Sequence, residues 1–342
     1  MTRQWLGLTV SHETLVTQKR LGSVAAVVLD NGSLRLTAVP ELGGKIASLV
    51  RLESGYEYFL QPSYPERAYR RRSWGDPFEE YEPCGFDECM PTIAECLYPE
   101  EPFLSTQLPD HGDIWCLPSD IQVVGDQITL TTFLRSLPLR LTKTVHLQEN
   151  TVRLDYEATN LSQSTVKFLW SAHPLLRVES GTEIVLPREV EGAEVSWSTN
   201  GRMGKSGERC SWPLAPDRDG RLVELNRVVS PTAGNAEKLF TSRLSEGFCR
   251  ISLPSANESI AFHFNPESVP FLGIWICQGG WPPRRSDKQF AVALEPCSGR
   301  PDSLADAIRR NECMTLAAYE TARWWMEIEV NGDLPRRLGG MK

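Results

Sequence analysis

Two ionisable residues stand at the ends of apolar runs in this sequence, and each is directly followed by a proline. His173 lies in F-L-W-S-A-H-P and Glu295 lies in F-A-V-A-L-E-P. Histidine titrates near neutral pH, and burial raises the pKa of a glutamate toward the range that suits a base. Such a pair can carry out general acid–base chemistry. We therefore predict one site that contains both residues, with a structural core histidine and a structural salt bridge as the alternatives.

A third candidate for this site is His111, in the segment L-P-D-H-G-D-I-W. The glycine after it would let the backbone approach its surroundings closely and leave the imidazole ring free to point at a ligand. A histidine in an exposed surface loop is the alternative interpretation.

Short alternating segments separated by turn residues predict the elements that must position these side chains. Segments 24–29 and 34–39 flank the turn D-N-G and predict a β-hairpin. A helix is predicted from Asp302 as its N-cap to Arg310. Further strands are predicted at 46–52, 127–134, 139–147, 151–159, 166–172, 247–253, 259–264, 271–277, 290–294 and 321–330. The pattern favours an antiparallel β-sandwich or barrel with one or two short helices.

Three further features concern the strand ends and the connections between strands. Alternation in 290–294 places Ala291, Ala293 and Glu295 on one face, so small side chains leave room beside the carboxylate. Pro174 is expected to end the sheet ladder directly after His173. Segments 61–101 and 199–231 are predicted to be long loops that wall a binding site. Because strands lie on both sides of these loops, we expect a single domain over 1–342, with its core at about 24–330.

Composition and charge exclude several classes of function. The net charge of −8 argues against a sequence-independent nucleic-acid binder. The sequence has no stretch of 18 uncharged apolar residues, so no membrane span is predicted. The N-terminus does not resemble a secretion signal. The nine cysteines are an odd number spread along the chain without a framework, which favours reduced thiols in the cytoplasm. They show no paired C-x-x-C hooks, which argues against a metal site. A monomer or a homodimer is expected.

The order of these motifs resembles the aldose 1-epimerase (galactose mutarotase) family. The resemblance is carried by the H-G at His111, by W-S-A-H-P and by A-L-E-P-C-S-G-R-P-D-S-L. The segments A-V-P-E-L-G-G-K-I-A-S-L and G-F-D-E-C-M-P-T-I are also similar to segments in members of this family. The resemblance covers roughly residues 24–330, nearly the whole chain.

The resemblance implies a fold, an activity and a role for each candidate residue. The fold would be a large antiparallel β-sandwich whose open face holds a sugar, and the activity would be interconversion of the α and β anomers of free aldoses without a cofactor. Glu295 matches the base that takes the proton of the C1 hydroxyl, and His173 matches the acid that protonates the ring oxygen. His111 matches the second histidine, which holds or polarises the region of the ring oxygen. We expect the His173 ring and the Glu295 carboxyl to face each other across a gap as wide as a pyranose, at the mouth of one cleft.

The sequence departs from the family pattern at the residues that would bind the substrate. The family's arginine, about two dozen residues before the first histidine, falls here on Asp87 and Glu88, and its aspartate between the second histidine and the glutamate has no clear counterpart. In a sugar site, tryptophans can stack on an apolar sugar face, and an arginine can bind a phosphorylated or sulfonated sugar. The residues predicted to bind substrate are therefore Asp87, Glu88, Trp275, Gln278, Trp281 and Arg72.

Two other functions remain open at this stage. The chain could be a carbohydrate-binding protein on the same fold without catalysis, since the family's arginine and aspartate are missing. It could also be a glycoside hydrolase or lyase in which Asp87 or Glu88 forms a carboxylate pair with Glu295.

Overall fold

The computed structural model describes residues 14–331 of the chain. The predicted domain bounds, 1–342, extend beyond this range at both ends, and the N-terminal residues that were compared with a secretion signal lie outside it. Neither α-helix in the described part has the length or the apolar character that a membrane span requires.

Strands dominate the described residues, and the two α-helices are short. Strands β1 to β13 are Leu15–Leu21, Val24–Asp30, Leu34–Val39, Lys45–Arg51, Tyr56–Glu57, Phe86–Cys89, Cys96–Leu97, Gln107–Leu108, Asp120–Val124, Gln127–Phe133, Leu139–Gln148, Thr151–Asn160 and Val166–Phe168. Strands β14 to β26 are Ser171–Leu176, Glu183–Val185, Gly192–Ser198, Arg209–Ser211, Leu214–Pro216, Leu222–Glu224, Asn235–Thr241, Phe248–Leu253, Glu258–Phe264, Phe271–Gln278, Phe290–Cys297, Met314–Leu316 and Thr321–Asn331. The helices are α1 (Pro65–Ala68) and α2 (Leu304–Arg310), with single 3₁₀ turns at Pro40–Leu42, Phe78–Tyr81, Ile114–Cys116 and Thr199–Gly201.

Two large antiparallel sheets form the body of the fold. The larger sheet has the strand order β1-β2-β3-β4-β6-β14-β24-β23-β20-β16-β17, with β5 paired to β4. The smaller sheet has the order β15-β21-β22-β26-β12-β11-β10-β9. In β11 and β12 every second residue is buried, as expected for strands with one face on a core. The prediction of an all-β antiparallel sandwich with one or two short helices is confirmed.

One apolar cluster joins the facing surfaces of the two sheets. Leu36, Ile274 and Leu294 enter it from the larger sheet, and Leu154 and Ile328 enter it from the smaller sheet. Burial of this apolar surface is the main source of stability in such a sandwich. The other face of the larger sheet carries the candidate site.

A row of residues across the larger sheet brings the predicted site residues onto that other face. His173 of β14 pairs with Asp87 of β6. The register of β14 with β24, fixed by Ser171↔Cys297 and Leu175↔Ala293, places His173 opposite Glu295. Directly opposite residues share one face of a sheet, so the topology itself joins the two candidates. Glu295 is followed in the same row by Gly273 of β23.

Several predicted details differ from the structure. The predicted strand at 166–172 is broken into β13, which pairs with β25, and β14, which joins the larger sheet. Pro174 does not end its ladder, because β14 continues to Leu176 opposite Val292. Its missing N–H falls where the pairs between β14 and β24 are interrupted, so no ladder bond is lost there. The N-cap of α2 is Ser303, whose side chain accepts a hydrogen bond from the N–H of Asp306, and not Asp302.

Candidate active site

A cavity of about 400 Å³ opens on this face of the larger sheet. Adjacent strands β14, β24, β23 and β20 supply its floor, and the chain after Phe78 supplies part of its wall. The lining residues are Phe78, Glu79, Pro83, Ile93, Ala94, Asp110, His111, His173, Leu175, Trp197, Lys238, Trp275, Trp281, Pro283, Gln289, Glu295 and Asp302. The volume and the mixture of aromatic walls with a few polar groups are typical of a small-molecule site.

His173 and Glu295 lie side by side on the floor of this cavity. The Nε2 atom of His173 is 3.9 Å from Oε1 of Glu295, and the two side chains are 9% and 1% exposed. The prediction that both residues belong to one site is therefore consistent with the geometry. The expected pyranose-wide gap at the mouth of the cleft is wrong, because atoms 3.9 Å apart leave no room for a sugar ring between them. A ligand must instead lie over both groups.

Burial moves the pKa values of both residues toward each other. It raises the pKa of the Glu295 carboxyl, while the ammonium of Lys238 works in the opposite direction. Burial also lowers the pKa of His173 well below its usual value, and the positive charges of His111, Lys238 and Lys45 add to this shift. A carboxylate and an imidazole tuned in this way exchange a proton more readily than the free side chains do.

Lys238 is the direct partner of Glu295, and sequence reasoning missed it. Its Nζ atom donates a hydrogen bond to Oε2 of Glu295, which leaves Oε1 without a hydrogen-bond partner. Lys238 lies in β20, a strand that the sequence analysis did not predict because the E-K pair inside N-A-E-K-L-F-T hides the apolar character of the segment. Because Glu237 and Lys238 are adjacent charged residues in a seven-residue strand, the segment lacks the apolar pattern by which the other strands were predicted.

His111 lines the cavity with its ring held from two sides. Its Nδ1 atom is 2.7 Å from Oδ1 of Asp110, and its ring stacks on Phe78 with centroids 3.9 Å apart. The backbone of His111 has a positive φ of 58°, and a Cβ on the next residue, Gly112, would lie 2.3 Å from the Met90 carbonyl oxygen. The glycine therefore permits the close backbone approach that the sequence predicted. Because Asp110 accepts from Nδ1, Nε2 is the nitrogen that can meet a ligand.

Three tryptophans form one wall of the cavity. Trp275 and Trp281 were predicted to contact the ligand and do line the cavity, and Trp197 joins them. The centroid of Trp275 is 5.8 Å from that of Trp197 and 6.1 Å from that of Trp281. Trp197 is 40% exposed, so its ring is accessible to a ligand. The indole N–H of Trp275 donates to Oε1 of Gln289 at 2.7 Å, which fixes the ring.

Asp302 is another lining residue that the sequence analysis misread. It was assigned as a helix cap, but its Oδ2 accepts a hydrogen bond from Ser196 Oγ at 2.5 Å and its Oδ1 lies 3.7 Å from Lys238 Nζ. The Oδ1 atom of Asp302, Oε1 of Glu295 and Nδ1 of His173 are buried without hydrogen-bond partners. Buried polar atoms are normally paired. Three unpaired atoms on residues that line one cavity therefore indicate a place where a polar ligand would supply the missing bonds.

Asp87 and Arg72 were predicted to bind substrate, but neither lines the cavity. The Oδ2 atom of Asp87 accepts a hydrogen bond from Lys45 Nζ at 2.5 Å, and its Oδ1 is 3.7 Å from Arg72. Arg72 also donates to the Trp115 carbonyl oxygen at 2.7 Å and lies over the Trp115 ring. Both side chains are almost fully buried. Asp87 forms ion pairs with both Arg72 and Lys45, so its charge is compensated within the protein. This prediction is corrected: the pair forms a buried layer beside His173.

Glu88 and Gln278 also differ from the prediction. Glu88 points to the opposite face of the sheet, where Lys143 Nζ donates to both of its carboxylate oxygens and Tyr156 donates at 3.0 Å. Gln278, the last residue of β23, accepts a hydrogen bond from the N–H of Val229 and donates one to the side chain of Asn235. The polar atoms of both residues are used by the protein itself, and neither residue lines the cavity.

The two predicted binding loops differ in their contribution to the cavity. Segment 61–101 contains β6, a central strand of the larger sheet, and it supplies five lining residues from Phe78 to Ala94. Segment 199–231 supplies none, so its assignment as a wall is corrected. Among residues 14–331 no group of three or more histidine, cysteine or acidic side chains is arranged to hold a metal ion.

Comparison with solved structures shows which fold this arrangement belongs to. The protein Slr1438 from Synechocystis sp. PCC 6803 is 16% identical, with a TM-score of 0.68 over 96% of this chain and 100% of that protein. A galactose mutarotase-like protein from Lactobacillus casei ATCC 334 is 17% identical, with a TM-score of 0.63 over 90% and 100%. A protein provisionally named an aldose 1-epimerase, from Escherichia coli K12, is 17% identical, with a TM-score of 0.61 over 93% and 99%.

These similarities establish the fold at low sequence identity. The sequence itself matches no protein-family model and no curated protein. The chain has the galactose mutarotase-like fold, and the resemblance found in the motifs is confirmed at that level.

Proposed function

We propose that this protein is an aldose 1-epimerase that interconverts the α and β anomers of a free, neutral aldose. The observation that carries the proposal is the pair formed by His173 Nε2 and Glu295 Oε1, 3.9 Å apart on the floor of an aromatic-walled cavity. The anomeric oxygen and the ring oxygen of a pyranose are bonded to the same carbon. We therefore expect the two groups that serve these oxygens to lie close together, and the 3.9 Å distance between His173 Nε2 and Glu295 Oε1 supports this.

In the proposed reaction, Glu295 accepts the proton of the C1 hydroxyl while His173, in its protonated form, donates a proton to the ring oxygen. The lowered pKa of His173 makes this protonated form a stronger acid than a free imidazolium. The bond between C1 and the ring oxygen breaks, and the C1 oxygen becomes the carbonyl oxygen of the open-chain aldehyde. Rotation about the C1–C2 bond then presents the other face of the carbonyl group. On ring closure, Glu295 gives its proton to the C1 oxygen, and the hydroxyl that formed from the ring oxygen gives its proton to His173 as it attacks C1. Both residues thereby regain their starting protonation states.

The polar lining supports recognition of sugar hydroxyls. His111, with its Nε2 available, is suited to hold the region of the ring oxygen. Asp302 and Gln289 line the cavity and can accept hydrogen bonds from hydroxyl groups. The wall formed by Trp197, Trp275 and Trp281 can stack on the apolar face of a pyranose.

The charge of the lining favours a neutral sugar over a phosphorylated or sulfonated one. Among the lining residues four are acidic, namely Glu79, Asp110, Glu295 and Asp302, and one is a lysine. That lysine, Lys238, already contacts two of the carboxylates. Within residues 14–331 no arginine lines the cavity, and Arg285 donates to Asp287 and to the Glu79 carbonyl oxygen instead.

The hydrolase or lyase alternative required Asp87 or Glu88 to pair with Glu295. Since Asp87 contacts Lys45 and Glu88 contacts Lys143, neither carboxylate reaches the cavity. A binding protein without catalysis would use the same cavity and differ only in the rate of anomer exchange.

Polarimetry tests the proposal directly. Freshly dissolved α-D-glucose, α-D-galactose and a panel of other common aldoses are followed with and without the protein. The expected result is acceleration for at least one aldose, with a loss of roughly 10²-fold or more in Glu295→Gln. Calorimetric binding of a sugar that the protein does not accelerate would instead indicate the binding protein, and full activity of Glu295→Gln would overturn the assigned role of Glu295.

A further inference from the structure

Lys238 and Glu295 meet across a strand that separates them. Lys238 lies in β20 and Glu295 in β24, with β23 between them in the sheet. On β23, Gly273 pairs with Glu295 on one side and with Phe240 on the other, while Trp275 pairs with Lys238. The lysine therefore reaches diagonally over β23 to contact the carboxylate.

Gly273 is what makes this contact sterically feasible. A Cβ atom at this position would lie 3.1 Å from Oε2 of Glu295 and 3.2 Å from Nζ of Lys238. Both distances are tighter than ordinary van der Waals contact, so a side chain here would force the two groups to shift by a few tenths of an ångström. Glycine in the interior of a strand is otherwise unfavourable and often marks a place where another group approaches closely.

A second carboxylate holds the lysine from the other side. The Oδ1 atom of Asp302 is 3.7 Å from Lys238 Nζ, and the other oxygen of Asp302 is fixed by Ser196. Lys238 is 8% exposed, and its Nζ lies 5.2 Å from the centroid of the Phe240 ring. The ammonium group is thus immobilised between two acidic side chains of the cavity.

We propose that Lys238 is a positioning residue for the His173–Glu295 pair, and that the missing side chain of Gly273 leaves room for Lys238 to contact Glu295. This inference rests on the proposed epimerase function and extends it. By binding Oε2, Lys238 fixes the carboxylate so that the unpaired Oε1 faces His173 and the cavity. Because Oε1 has no partner within the protein, it remains available to accept a proton or a hydrogen bond from a ligand in the cavity.

The positive charge of Lys238 also acts on the proton affinities of both groups. It lowers the pKa of His173 and opposes the upward shift that burial causes for Glu295. Removing the charge therefore raises both pKa values. The charged or titratable groups around the pair, from every neighbouring element, are Asp87 on β6, Cys89 on β6, Lys45 on β4, Asp110 and His111 in their loop, Cys297 on β24 and Asp302 before α2.

Two variants separate the charge of Lys238 from its contact with Glu295. Lys238→Met removes the charge and keeps a side chain of similar length. Gly273→Ala keeps both charges and adds a methyl group that presses on both of them, without a positive φ to complicate the backbone. The matched control is Lys143→Met, which removes a buried lysine from a buried glutamate on the opposite face of the same sheet.

The first readout is the pH dependence of kcat/KM for the aldose that the wild-type protein accelerates. In Lys238→Met both limbs of the profile should move to higher pH by on the order of one unit, and kcat at neutral pH should fall roughly 10-fold to 100-fold. Gly273→Ala should lower kcat and move the acidic limb in the same direction. In Lys143→Met both limbs of the pH profile of kcat/KM should stay at their wild-type positions.

The second readout needs no activity. NMR titration of histidine Cε1 resonances, with His173 identified by its absence in His173→Asn, should show a higher apparent pKa for His173 in Lys238→Met than in the wild type. A wild-type protein that accelerates no aldose contradicts the proposed function, and the titration then decides the role of Lys238 alone. Folded Lys238→Met and Gly273→Ala proteins with wild-type limbs and an unmoved His173 titration overturn this inference. If Lys238→Met does not fold, Gly273→Ala decides it in both readouts.

Discussion

The rings of His111 and His173 meet edge to face, with their centroids 5.3 Å apart, and Phe78 contacts both of them. Two imidazoles at this distance cannot both carry a proton easily, and the charge of His111 lowers the pKa of His173. The arrangement thus links the residue proposed to hold the ring oxygen with the residue proposed to protonate it.

Substitution of His111 should therefore change the titration of His173 as well as sugar binding. In His111→Gln we expect the pKa of His173 to rise, because a like charge is removed, and the alkaline limb of kcat/KM to move to higher pH. The NMR titration and the rate profile measure the two effects separately. An unchanged alkaline limb in a folded variant would show that the two rings are not electrostatically coupled.

Asp110 should stabilise the fold in a pH-dependent way. Burial acts to raise its pKa, but hydrogen bonds from His111 and from the N–H of Phe78 outweigh this, so that the pKa of Asp110 is lowered. A carboxyl group with a lowered folded-state pKa contributes stability above its unfolded value of about 4 and loses it as the pH falls through the folded value. Asp110→Asn should therefore have a lower Tm than the wild type at neutral pH, with a difference that shrinks below about pH 4. A constant difference down to the acid limit would contradict this.

The tryptophan wall should affect binding more than chemistry. Trp197→Ala removes an accessible ring that lies beside the Trp275 ring, so KM should rise roughly three- to tenfold with little change in kcat. Trp325→Ala is the matched control, since Trp325 lies on β26 against Arg153 and does not line the cavity. Equal kinetic constants for the wild type and Trp197→Ala would remove Trp197 from the binding surface.

The acidic lining predicts discrimination against anionic sugars. For any aldose that the protein accelerates, the corresponding 6-phosphate should have a kcat/KM lower by roughly tenfold or more. Glu79→Lys should reduce the difference in kcat/KM between the neutral aldose and its 6-phosphate, because Glu79 is one of the four acidic residues of the lining. A phosphorylated sugar that reacts faster than its neutral parent would contradict the charge argument.

The Lys143–Glu88 pair should matter for folding and not for activity. Lys143→Met leaves Glu88 buried without its cation, which costs about 3–5 kcal/mol when one partner of a buried pair is removed. Urea unfolding should show this loss, while kcat/KM per folded molecule stays at the wild-type value. A loss of activity in a folded Lys143→Met variant would contradict this and would show that Glu88 contributes to function.

The candidate acid–base pair could be found from the sequence because its signal is local. His173 and Glu295 each interrupt an apolar strand segment, and alternation correctly placed Ala291, Ala293 and Glu295 on the face opposite Val292 and Leu294. His111 was marked by the glycine that its tight backbone requires. Each of these residues violates the pattern expected of its own segment.

The partners of these residues could not be found in the same way. Lys238 contacts Glu295 across an intervening strand, and β20 itself went unpredicted because of its internal charges. Asp302 was predicted to be a helix N-cap from its position before α2, but in the structure its carboxylate lies beside Lys238. Asp87 was selected by its spacing from His111, but spacing does not reveal that Lys45 occupies its carboxylate. Such choices depend on which strands become neighbours.

Magnetisation-transfer NMR at anomeric equilibrium is the sharpest test of acid–base catalysis by His173 and Glu295, because it measures exchange between the α and β anomeric protons without any net reaction. We expect faster exchange for at least one neutral aldose with the wild-type protein and a return to the buffer rate in both Glu295→Gln and His173→Asn. Exchange at the buffer rate with every aldose bound by the wild-type protein, or fast exchange that survives in Glu295→Gln, would contradict it.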